Sequence, residues 1–118
     1  MTQEEKELSF KDLCGRLPYH VHVKVWLKDG TTEEGFLDLE HNYADVLRDA
    51  FYYNKIKDIK PYLRSMSSMS EKERQEYGLV LCNELSINQF DWLNAHHFDY
   101  RDLIEKGLAL EAPKEMYK

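Results

Sequence analysis

The chain has 118 residues, 42% hydrophobic, 13% aromatic and 32% charged, with five glycines and three prolines. That length suits one domain with a buried core, and the composition excludes a disordered tail, a collagen-like repeat and a low-complexity linker. The formal net charge of −6, from 16 basic and 22 acidic side chains, repels phosphate backbones and disfavours generic nucleic-acid binding.

No apolar run approaches the roughly 20 residues that a membrane span needs. The charged opening stretch, Met1 to Glu7, lacks the apolar core of a signal peptide. A cytoplasmic protein without membrane contact is therefore expected. Cys14 and Cys82 lie far apart in no CxxC context, and read as reduced, buried small hydrophobes.

In chain order, Ser9 reads as an N-cap with Asp12 in the box position and Leu8 and Leu13 as a staple. The short helix it opens should end near Gly15, before Pro18. Val21, Val23, Val25 and Leu27 alternate with His22, Lys24 and Trp26, the period of a half-buried strand. Asp29-Gly30 predicts a two-residue type I′ hairpin, with a return strand from Thr32 to Glu40 bent or bulged at Gly35. His41-Asn42-Tyr43 reads as a turn. Residues 45–53 mix strand and helix formers and lean to strand. Ile56 to Arg64 reads as another strand, placed at an edge or bulged because Pro61 removes a ladder donor.

Beyond Arg64, Ser70 and Glu73 form a capping box. Tyr77, Val80, Leu81 and Leu85 then share a helical face. Gly78 inside this helix suggests that something packs closely against it. A second helix carries Phe90, Trp92 and Leu93 to about His96, and Asp99 can cap a third that ends at Gly107. The expected architecture is a single α+β domain over residues 1–118. A small antiparallel sheet or partial SH3-like barrel (about 20–64) is covered by C-terminal helices (about 70–107).

Two blocks, Ile59 to Met69 and Trp92 to Gly107, resemble small uncharacterised proteins of gut Bacteroides bacteria and of their prophages and mobile elements. The resemblance covers about residues 55–117. It implies a bacterial or phage setting and carries no catalytic residues.

The residues themselves point away from catalysis. No GxGxxG, P-loop or GxSxG frame is present, and Cys14 has no family signature around it. His20 and His22, two apart on a strand, could share a metal, but no spacing fixes a third ligand among Asp38, Glu40 and His41. His96-His97 reads as helix C-terminal dipole stabilisation. No cofactor or metal is expected, and the chain reads as not an enzyme.

Its aromatic richness points to protein contact, with Tyr52, Tyr53, Tyr62, Trp92 and Tyr100 as candidates and an unidentified protein or a second copy as partner. The helical face of Glu71, Glu73, Glu76 and Glu84 could meet a basic partner. The alternative is an SH3- or Sm-like nucleic-acid-binding domain using Trp26 with Lys55, Lys57, Lys60 and Arg64. Lysines guarding an edge strand explain the same run without nucleic acid.

Overall fold

A computed structural model describes residues 2–37 and 56–117. The turn at His41, the 45–53 segment, Tyr52, Tyr53 and Lys55 lie outside the described residues. Helix α1 spans Gln3–Arg16 and opens earlier than the sequence suggests. Its cap is Thr2, whose hydroxyl accepts from the Glu5 N–H (3.1 Å) while the Glu5 carboxylate accepts from the Thr2 N–H (3.0 Å). Ser9 is a buried mid-helix residue rather than a cap. Two capping boxes competed for the start, and the one that adds nearly two helical turns prevails. Pro18 sits in the short 3-10 turn Leu17–Tyr19 that follows.

Strand β1 (Val21–Leu27) pairs antiparallel with β2 (Thr32–Leu37) on one side and β3 (Ile56–Ser65) on the other. The hairpin turn differs from the expected type I′. Leu27 N–H donates to Thr31 O (2.9 Å) and Gly30 N–H to Leu27 O (3.1 Å), leaving a three-residue loop that ends on left-handed Gly30 (φ +92°). Type I′ would force Asp29 to positive φ as well. Asp29 instead accepts from the Thr31 N–H and hydroxyl.

β3 is internal, not an edge: beyond β1 it pairs in parallel with β4 (Phe98–Asp99) and β5 (Leu110–Glu111). The bulge offered as the alternative is present, four residues before Pro61, between the rungs Trp26↔Asp58 and Leu27↔Ile56. Pro61 is tolerated because it stands at the last rung of the β1 ladder, Val23↔Pro61, where no further donor is asked of it.

The fold is α+β, and among the described residues the sheet is open. Its apolar face carries Val21, Val23, Val25, Ile59 and Leu63. Leu13 and Leu17 cover this face from α1 and its turn, and Leu103, Leu108 and Ala109 cover it from the C-terminal segment. Helices α2 (Glu71–Leu81) and α3 (Gln89–Ala95) build a second core from Val80, Trp92, Leu93 and Phe98. The Ser70–Glu73 capping box forms as expected, and Asn88 caps α3. Residues 100–107 are successive turns rather than a third helix. Left-handed Asp102 (φ +59°) interrupts the helical path, although the Asp99 carboxylate still accepts from the Leu103 and Ile104 N–H groups.

Three further expectations change. Cys14 and Cys82 are free and exposed, not buried. Leu81 is 52% exposed, so the helical stripe narrows to Tyr77, Val80 and, past the helix, Leu85. No heavy atom outside the helix's local backbone lies within 4 Å of a Cβ built on Gly78, so nothing packs closely there.

Candidate functional site

The sheet face opposite the core brings together His22, Lys24, Trp26, Phe36, Lys60 and Tyr62. The alternation of β1 and β3 puts these residues on one side. His22 lies 4.7 Å from Phe36 and edge-on to Tyr62 at 5.4 Å. The Lys24 and Lys60 ammonium groups stand 5.3 and 5.5 Å from the Trp26 ring centroid. Among the described residues, the basic run does not gather into one patch. Lys57 is the unpaired residue of the bulge between the rungs Trp26↔Asp58 and Leu27↔Ile56, Lys60 lies 3.9 Å from Asp58, and Arg64 turns to Glu73. Tyr62 donates to Glu34 from the same face.

A trough runs between the two cores. Arg64, at the end of β3, donates twice to Glu73 on α2 (2.8 and 2.7 Å) and lies 4.2 Å above the Phe98 ring. The Arg64 hydrogen bonds are the main reason the Glu73 carboxyl is pulled down to about 2. His97 follows α3 in a left-handed conformation (φ +63°) and stacks on Tyr117 at 3.7 Å. Burial first, then the charges of Arg16, His96, Arg64 and His20, hold the His97 imidazole down to about 4, so it is neutral at pH 7.

Tyr117 is wedged between strands. Its hydroxyl accepts from the His22 N–H (2.9 Å) and donates to the Tyr62 carbonyl (2.7 Å), and burial pushes the phenol up to about 12. Cavities of about 530 and 350 Å³ flank this point and share Arg64, Glu73 and Tyr117 as walls. His20 caps the 3-10 turn at φ +54°, one residue before β1 starts, so it does not join His22 on a strand face. Among the described residues, no three His, Cys, Asp or Glu side chains converge as metal ligands.

The other contact candidates separate. Trp92 is 2% exposed. It stacks on Tyr77 and Phe98 and donates to Glu76 (2.8 Å), which takes it off the surface. Tyr100 is half-buried between the guanidinium groups of Arg16 and Arg101 and donates to Asn94 (3.0 Å).

Among the described residues Phe36 (55% exposed, on the sheet face) and Met66 are exposed large apolar side chains, and the other four lie together elsewhere. Leu79, Leu81, Ile87 and Phe90 are 43–52% exposed, and all fall within residues 79–90 at the α2–α3 junction. The i, i+3/i+4 pattern counted Leu81 and Phe90 among the inward-facing residues, which they are not, and passed over Leu79 and Ile87.

Asp12 and Tyr117 were also missed. The Asp12–Arg16 spacing was readable as an i, i+4 pair, whereas nothing local to Tyr117 announces a contact about 55 and 95 residues away along the chain. The chain matches no protein-family model, no curated protein and no solved structure.

Proposed function

We propose that this chain is a non-enzymatic protein-interaction module of a bacterial or phage cytoplasm, engaging its partner through the α2–α3 junction. The observation that supports this reading is the concentration of Leu79, Leu81, Ile87 and Phe90 within twelve residues. Singly exposed apolar residues need no explanation, whereas a contiguous exposed patch marks an interaction surface, and the proposal is that these side chains act as one. Glu71, Glu76, Glu84 and Asp91 lie on the same two helices and their junction and outweigh Lys72 and Arg74. The partner surface that fits is apolar at its centre and basic at its rim.

Affinity capture from a bacterial lysate, with wild type beside a Leu81→Glu, Phe90→Glu double variant, tests the reading. A stoichiometric partner held by the wild type and lost by the folded variant supports it. Equal capture by both, or none by either, overturns it.

The second reading, a nucleic-acid-binding sheet face, draws on Lys24 and Lys60 beside Trp26. It is the weaker one because Glu34 and Asp58 share that face and offset both lysines. Salt-dependent binding of oligonucleotides that is lost in Trp26→Ala would reverse the order.

A further inference from the structure

The β1–β3 ladder stops at Val23↔Pro61, although β1 continues to pair with β2 as far as Val21↔Leu37. Continued in register, the ladder would next set His22 opposite Tyr62. The Tyr117 hydroxyl occupies that rung instead, accepting from one main chain and donating to the other. A phenol therefore substitutes for a strand pair, with its ring laid on His97. The segment carrying it is tied upstream by the Ala112 N–H, which donates to Leu63 O (2.8 Å).

We infer that this slot is a tyrosine-recognition site, and that a tyrosine-bearing segment of a partner protein displaces residues 112–117 from it. The proposal concerns a different surface from the α2–α3 junction and does not rest on that reading. Three observations carry it. The slot reads a hydroxyl through two main-chain groups and a ring through His97, so it distinguishes tyrosine from phenylalanine without reading the rest of the resident segment. The cavities on either side of Tyr117 leave room for residues flanking a foreign tyrosine. With Tyr117 in place, the Nδ1 atom of His97, the ring it stacks on, is buried without a hydrogen-bond partner. A segment that supplies polar groups there gains contacts the resident one lacks. Because Tyr117 is tethered, its effective concentration is of millimolar order, so only a better-fitting segment enters.

The test uses the full chain as Tyr117→Ala and a fluorescent synthetic peptide of residues 110–117. The variant is expected to bind this peptide at least about tenfold more tightly than the same peptide with phenylalanine for tyrosine. The His22 amide should exchange freely in the variant and regain protection on binding. Three results would each overturn the inference: no binding up to about 1 mM, a range set by that effective concentration; equal binding of the phenylalanine peptide; or a His22 amide already protected in the variant alone, meaning the strands have closed. If Tyr117→Ala does not fold, Tyr117→Phe, which keeps the ring and frees both main-chain groups, is held to the same criteria.

Discussion

At the residue scale, Asp12 shows how one carboxylate can set the interior. It is fully buried, accepts from Arg16 Nε (2.7 Å) and Nη2 (3.1 Å), and takes a further bond from Arg101 (2.7 Å). Arg16, also fully buried, donates from Nη2 to the Phe98 carbonyl as well (2.8 Å), which links α1 to the second core, while its Nη1 is buried without a hydrogen-bond partner. Replacing Asp12 by Ala leaves a buried guanidinium without its counter-charge, which costs about 3–5 kcal/mol. Chemical denaturation of Asp12→Ala should therefore show the largest loss among single changes in α1. Asp12→Asn, which keeps acceptor capacity at one oxygen, should lose less. The pair was legible only in part. Its spacing is visible in the sequence, but its burial depends on Phe98 and Arg101, more than eighty positions away.

At the scale of elements, two glycines are predicted to behave in opposite ways. Gly30 holds φ +92° in the hairpin loop with open space around it, so Gly30→Ala meets only backbone strain and should destabilise by about 1 kcal/mol. Gly78 has ordinary helical geometry and equally open surroundings. Gly78→Ala should stabilise by up to about 1 kcal/mol, through helix propensity and a less flexible unfolded chain. Thermal melts of the two variants check both signs, and a destabilising Gly78→Ala would mean a neighbour does press on that position. Elements with a local signature were legible: the alternation of β1, the Ser70–Glu73 box and the left-handed Gly30. What escaped the sequence was decided by tertiary partners. β3 became internal because the Phe98–Asp99 and Leu110–Glu111 segments return to pair with it. The stretch of 100–107 lost its helix to left-handed Asp102. The candidate contact surface was least legible: the periodicity that finds a core counted Leu81 and Phe90 inward and is silent about Leu79 and Ile87.

At the scale of the whole molecule, the two cores meet where His97, Arg64, Glu73 and Tyr117 come together, so this junction sets the pH range over which the halves stay joined. His97 ionises near 6.5 unfolded and about 4 folded, so the unfolded chain binds the extra proton between those values. Its contribution is present above pH 6.5 and drains as pH falls to about 4, at no more than about 1.4 kcal/mol per pH unit for one proton. Glu73 acts lower: its carboxyl is depressed from 4.5 to about 2, so its stabilisation holds above pH 4.5 and is lost toward pH 2. Tyr117 has the opposite sign, raised from 10 to about 12, so its share holds below pH 10 and goes as pH rises to 12. Urea denaturation followed across pH should therefore fall on both sides of a neutral plateau. Each limb has its own variant. His97→Asn, which tolerates positive φ, should flatten the 6.5-to-4 limb. Arg64→Met should flatten the limb below 4.5, and Tyr117→Phe the alkaline one. If His97→Asn left the upper acid limb unchanged, the drop would belong to another group, and the stacked imidazole would not be what joins the helical half to the sheet.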